Sequence, residues 1–186
     1  MVRSAPTEPP ARRLTDGTVA LRLRQTSDLD AIAAASHDSE TRRWLDDEPM
    51  SGEARRTSLA RTDEAWRSGR GAPLVIVDAV TDEPVGIINL QFQSDDVATV
   101  AYSVFPENRG QGVAPRAVRL LARWALSDLR VKRLGLEADD ENSASIRVAE
   151  KCHFQYVGTR IETLEDGEQK TKVIFALEGS IPPLDD

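Results

Sequence analysis

The sequence predicts a single α+β (mixed α/β) domain, and three observations lead there. Its 186 residues suit one hydrophobic core. Between residues 73 and 105, strand-like segments are separated only by short turns, the pattern of antiparallel hairpins. Beyond residue 105 the texture changes to helix, strand, helix and two strands, so a β-α-β-α-β stretch follows the hairpins.

Each element has its own warrant. Residues 18–24 (TVALRLR) alternate apolar and polar side chains, the period of a half-buried strand. Thr26, Ser27 and Asp28 offer N-cap chemistry for a short helix over 29–36. Residues 41–45 and 52–67 read as further helices, charged and weakly hydrophobic. The run 73–80 (PLVIVDAV) is a buried strand that stops at the turn residues Thr81, Asp82, Glu83 and Pro84. Strands over 85–93 and 97–105 flank the turn Ser94-Asp95-Asp96. In 114–129, Ala117, Val118, Leu121, Ala125 and Leu129 recur at helical spacing, with Arg116, Arg119, Arg123 and Ser127 on another side. Residues 133–138 read as a strand and 142–152 as a short helix. Residues 154–163 and 170–178 are strands around the turn Glu165-Asp166-Gly167-Glu168. The Pro- and Arg-rich residues 1–13 are expected as a mobile arm, 14–179 as the domain and 180–186 as a frayed tail.

Bulk properties narrow the function. A formal charge of −7 repels phosphate backbones and argues against nucleic acid as a general partner. The single cysteine, Cys152, rules out an intramolecular disulfide framework. The first residues hold no apolar run for a signal peptide, and no stretch approaches the roughly 20 apolar residues of a membrane helix. A soluble, cytoplasmic protein without membrane partners is the expectation. The acidic runs Asp46-Asp47-Glu48 and 162–168 are either solvated surface or an attraction for a cationic partner.

The segment with most chemistry is VFPENRGQGVAPRAV, residues 104–118. A strand ends, Pro106 blocks its continuation, and a loop with Gly110 and Gly112 enters an amphipathic helix. Glycines let the backbone approach a ligand and adopt angles closed to other residues. The N–H groups that open a helix have no partner within it, and the dipole there favours an anion. The segment lacks the Gly-Lys-Ser/Thr ending of a P-loop and the three spaced glycines of a dinucleotide fingerprint. A pyrophosphate cradle and a plain strand-to-helix turn both remain open from the loop alone.

Arg109-Gly110-Gln111-Gly112-Val113-Ala114 resembles the Arg/Gln-x-x-Gly-x-Gly/Ala motif of the GNAT superfamily of acetyltransferases, and Val104 and Pro106 match its strand ending. Residues 142–154 (NSASIRVAEKCHF) resemble its second signature, most closely in the branch of ribosomal-protein N-terminal acetyltransferases, which favours Asn-x-x-Ser. The element order matches from about residue 18 to 177. The resemblance implies a mostly antiparallel sheet of six to seven strands with helices on both faces. It also implies acetyl-CoA as co-substrate, an amine acceptor and direct attack in a ternary complex. By resemblance, Val104, Phe105, Arg109, Gly110, Gln111, Gly112, Val113, Ala114, Asn142, Ser145 and Lys151 hold acetyl-CoA. A backbone N–H at Val104 or Phe105 polarises the thioester, with Phe105 and Ser145 expected as the catalytic positions.

Several residues carry two readings. Asn142 is the natural N-cap of its helix, and in the family the matching residue also reaches the pantetheine arm. Ser145 is either a first-turn hydroxyl beside Asn142 or a group near the sulfur. Ala149 stands where many relatives place a proton-donating tyrosine, and Thr99 where the branch often carries a basic glutamate. Asp95, Asp96 and Glu137 are the remaining acidic candidates. Cys152 reads as a small core residue. His153 replaces a glycine expected at a left-handed helix end. Trp44 and Trp66 are core aromatics or acceptor-pocket walls, and Arg116, Arg119 and Arg147 are outer-phosphate contacts or a solvated face. A catalytically silent CoA-binding sensor is the second functional reading, and an unrelated ligand-binding domain the third. A homodimer through the sheet or last hairpin is compatible with either of the first two.

Overall fold

A computed structural model of the chain describes Arg3 and residues 5–44, 48–164 and 167–179. The expected tail, the acidic pair Asp46-Asp47 and the turn residues Glu165 and Asp166 lie outside them. In chain order the elements are β1 (Leu14–Thr15), β2 (Val19–Arg22), α1 (Leu29–Ser36), α2 (Ser39–Trp44) and α3 (Gly52–Arg67). Then follow β3 (Gly71–Asp78), β4 (Pro84–Phe92), β5 (Val97–Val104), α4 (Val113–Ser127), β6 (Arg133–Asp139), α5 (Ser143–Lys151), β7 (Gln155–Thr163) and β8 (Gln169–Glu178).

The strands form one eight-stranded sheet in the order β1-β2-β3-β4-β5-β6-β8-β7. Every pairing is antiparallel except β5 with β6, which α4 connects as a crossover. The sheet has one strand more than expected, because the two residues of β1 are too few to show an alternation.

Strand alternation divides the core between the two faces of the sheet. Leu74 and Ile76 of β3 join Ala117, Val118 and Leu121 of α4 in the larger cluster, where Trp66 meets Trp124 at 6.1 Å between ring centres. Val75 and Val77 point the other way and pack with Ile32 and Ala35 of α1 and with Phe105. Helices thus cover both faces.

Residue 28 anchors the start of α1. Both oxygens of Asp28, which is 1% exposed, accept from the Arg22 guanidinium at 2.8 and 2.9 Å, and Oδ2 also accepts from the Gln25 N–H. In the opening segment, Thr7 is buried and its N–H donates to the Trp66 carbonyl at 3.0 Å. No described helix is long and apolar enough to cross a membrane.

Candidate active site

The sheet opens at its one parallel pair. Pairing of β5 with β6 runs from Val97 and Arg133 to Val100 and Leu136 and then stops. Beyond that point β5 stays paired to β4 as far as Val104, and β6 to β8 as far as Asp139. The facing edges of residues 101–104 and 137–139 have no strand between them, so a cleft begins there.

The direction of the free amides follows from the ladder. The Phe105 N–H donates to the Val85 carbonyl at 2.9 Å, towards β4, while the Asp96 carbonyl accepts from Lys132 and Arg133 on the β6 side. Alternation then turns the N–H groups of Tyr102 and Val104 towards the cleft. The expectation for Phe105 is corrected accordingly: its amide is used within the sheet and its ring is buried on the α1 face. Val104 offers the donor instead.

A 3-10 turn over Pro106–Asn108 leads from β5 into the glycine loop. Gly110 and Gly112 have φ of +73° and +77°, the left-handed region that glycine enters freely. Gly112 is the N-cap of α4; no side chain caps that end, and no acidic residue occupies its first turn. Unpaired N–H groups and the positive end of the helix therefore face the cleft. A Cβ added at either glycine would meet nothing within 4 Å, so the cradle is open. The residues present fit a pyrophosphate.

Arg109 does not extend along that cradle. Its Nη2 donates to Asp38 Oδ2 at 2.6 Å and to Thr41 Oγ1 at 2.7 Å, and its Nε donates to the Val104 carbonyl at 3.3 Å. The Thr41 N–H and then the Arg109 guanidinium hold the Asp38 carboxyl below the usual carboxylate range. One side chain thereby joins α2, β5 and the glycine loop. The Gln111 side chain turns back onto the Glu107 carbonyl at 2.8 Å and does not line the cleft, so any contact it makes there is through its main chain. Its backbone remains in the loop.

Helix α5 forms the other wall. Asn142 Oδ1 accepts from the Ser145 N–H at 3.0 Å, the capping bond expected of it. Ser145 Oγ in turn accepts from the Tyr102 hydroxyl at 3.2 Å. Burial pushes the Tyr102 phenol up to about 12, so it stays protonated at any ordinary pH. Sequence reasoning missed Tyr102, although it shares a strand face with Val104. Ala149, where a tyrosine was sought, is fully buried core.

Two cavities meet here. The first, about 320 Å³, is lined by Val104, Arg109, Gly110, Gly112, Val113, Ala114, Asn142, Ser145 and Lys151 among others. These are the expected contacts without Gln111 and Phe105. The second, about 350 Å³, is lined by Gln91, Gln93, Thr99, Glu137, Asp139 and Lys172 among others. Trp44, Tyr102, Asn142 and Ser145 line both. Asp139 is 8% exposed with Oδ1 2.8 Å from Lys172 Nζ, and Glu137 accepts from Arg160 at 2.6 Å.

The other candidates settle into structural roles. Arg147 lines the first cavity, but Arg116 pairs with Asp16 at 2.8 Å and Arg119 donates to the Lys151 carbonyl. Asp95 and Asp96 line neither cavity, and Asp96 pairs with Lys132. Cys152 is buried with its thiol pushed up to about 11 by desolvation, far from the thiolate a nucleophile needs. His153 has φ of +61°, the left-handed helix end foreseen for it.

An anion cradle of main-chain amides, a free strand edge beside it and a second cavity at its inner end define a protein that presents a phosphorylated carrier's arm to another molecule. Comparison with known proteins gives this class its family. The acetyltransferase (GNAT) domain matches residues 19–155, and the chain belongs to that family. The uncharacterized N-acetyltransferase YoaA of Bacillus subtilis is 30% identical over 143 residues, 74% of this chain and 81% of the relative. An N-acetyltransferase 9-like protein of Caenorhabditis elegans is 24% identical over 66% of this chain and 72% of its own. Among solved structures, RimL, a ribosomal L7/L12 α-N-protein acetyltransferase in complex with coenzyme A, superposes with a TM-score of 0.78 at 18% identity, covering 90% of this chain and 98% of RimL. The microcin C7 self-immunity acetyltransferase MccE, in complex with acetyl-CoA and AMP, gives 0.76 at 13% identity, covering 89% and 94%. The protein is an acetyl-CoA-dependent acetyltransferase.

Proposed function

We propose that the protein moves the acetyl group of acetyl-CoA to a primary amine, on a small molecule or a protein N-terminus, by direct attack in a ternary complex. The observation that carries this reading is the junction of the two cavities at Trp44, Tyr102, Asn142 and Ser145. A carrier held in the first cavity ends where an acceptor in the second begins, and holding both reactants supplies much of the rate.

Acetyl-CoA supplies an acyl thioester whose carbonyl oxygen gains negative charge as the amine adds. The free amides opening α4 hold the pyrophosphate, and the β5 edge aligns the arm. The Val104 N–H is the donor offered to the carbonyl oxygen. Tyr102 donates to Ser145 Oγ, which leaves the serine proton free to point at the sulfur. Because the phenol is pushed up to about 12, it lends a hydrogen bond and keeps its proton, and solvent protonates the thiolate. Glu137 and Asp139 are balanced by Arg160 and Lys172, so the second cavity carries no excess charge; the amine attacks as the neutral form and its proton passes to water there.

The test is thiol release from acetyl-CoA against small amines and N-terminal peptides, with the acetylated product weighed by mass spectrometry. Release matched by an acetylated amine is the expected result. Tight acetyl-CoA binding with no product from any amine class contradicts the reading.

A further inference from the structure

A third cavity, about 630 Å³, lies on the α1 face of the sheet and borders the first at Thr41 and Ser103. Its apolar wall comes from Ile32, Ala35, Ile87 and Phe105, and three arginines, Arg24, Arg42 and Arg61, also line it.

Arg24 is the unusual one. Its Nε is out of contact with solvent and has no hydrogen-bond partner. Its one described hydrogen bond is from Nη1 to the buried Ser58 hydroxyl at 2.8 Å, a neutral acceptor. The nearby carboxylate is already committed, since Asp28 is held by Arg22 through both oxygens. Desolvation accordingly pushes Arg24 below the usual guanidinium range. Glu48 is the one acid lining the cavity; it is exposed, and among the described residues it pairs with none of the three arginines. Arg42 and Arg61 likewise form no ion pair among the described residues. A half-buried guanidinium whose nearest carboxylate is already held by another arginine is costly, and a cavity opening on it gives a further counter-charge a place.

We propose that this cavity is an anion site, in which Arg24, Arg42 and Arg61 bind the carboxylate of a ligand with an apolar body. Guanidinium forks match a planar carboxylate, and the wall of Ile32, Ala35, Ile87 and Phe105 suits the rest of such a ligand. The site adjoins the reaction centre. Phe105 lines it from one face of β5, Tyr102 and Val104 line the acetyl-CoA cleft from the other, and Ser103 borders both. The carboxylate therefore belongs either to the acceptor itself or to a separate effector, the first source resting on the amine-acetylation reading above.

Benzoate is the probe and benzamide, its neutral counterpart, the control, with binding followed by calorimetry and thermal melting on the full chain. Benzoate is expected to bind and raise the melting temperature while benzamide does neither. Arg24→Met should weaken benzoate by at least about tenfold. It should fold as well as the unmodified protein, because it removes a poorly compensated charge and keeps the stem. Arg61→Gln, at an exposed position, should weaken benzoate several-fold and serves if Arg24→Met fails to fold. Equal responses to benzoate and benzamide, no response to either, or benzoate affinity unchanged in the folded variants overturns the proposal. In the thiol-release assay, benzoate that competes with the amine assigns the site to the acceptor's carboxylate. Bound benzoate that leaves the amine KM unchanged assigns it to an effector. The binding arm stands whether or not amines are acetylated.

Discussion

Replacing Gly112 by alanine separates the fold's need for this glycine from the ligand's. Gly112 sits at φ +77° and ψ 10°, where an L residue costs about 1–2 kcal/mol. Its added Cβ meets no protein atom within 4 Å, so no clash adds to that strain. For a chain of this size the loss corresponds to a fall in melting temperature of about 2–8 °C. The same Cβ projects into the open cradle where main-chain amides receive phosphate, so acetyl-CoA should bind at least about tenfold more weakly. Gly17→Ala is the matched control, with φ of +89°, nothing within 4 Å of its Cβ, and a place outside the cleft. Calorimetric titration with acetyl-CoA and thermal melting on both variants decide the matter. The expected result is similar destabilisation with affinity lost only in Gly112→Ala. Unchanged affinity in folded Gly112→Ala, or equal losses in both, refutes the placement of the pyrophosphate.

Tyr102→Phe keeps the ring and removes the bond to Ser145, so kcat should drop by about tenfold with the acetyl-CoA dissociation constant nearly unchanged, read by steady-state kinetics and calorimetry. Tyr102 and Cys152 are raised from 10.0 to about 12 and from 9.0 to about 11. The unfolded chain releases these protons first, so the stability they contribute is full below about pH 9 and is lost as pH rises through their folded values. Denaturant melts from pH 8 to 12 should show the decline, and Tyr102→Phe should flatten its upper part. Asp38→Asn removes the charge that holds Arg109 and should weaken acetyl-CoA by several-fold in the same titration. Leu121→Ala empties a fully buried α4 position and should cost about 3 kcal/mol in a denaturant melt.

Much of this architecture was legible because its signals are local. The apolar run of residues 73–80 and the turn before residues 97–105 placed β3 and β5, and the spacing of Ala117, Val118 and Leu121 placed α4. Two glycines between a strand and a helix marked the cradle, and Asn142 marked its own cap. The rest depends on partners distant in sequence. Which of Val104 and Phe105 turns its N–H to the cleft is decided by the register against β4, visible only once Phe105 is seen on Val85. Tyr102 gains its role from Ser145, 43 residues away, and Arg109 is drawn to Asp38, 71 residues away. A period-2 reading of Val100, Tyr102 and Val104 would have put the tyrosine on the cleft face. Nothing local distinguishes Arg24 from Arg22, since only folding gives one a carboxylate and leaves the other with a serine.

In the proposed complex the cleft between β5 and β6 holds acetyl-CoA with its thioester beside Ser145. A crystal structure of the protein with bound acetyl-CoA tests it most directly. Pyrophosphate is expected on the amides that open α4, the thioester oxygen at the Val104 N–H and the sulfur near Ser145 Oγ. Acetyl-CoA bound elsewhere, or with its carbonyl turned away from Val104, would contradict it.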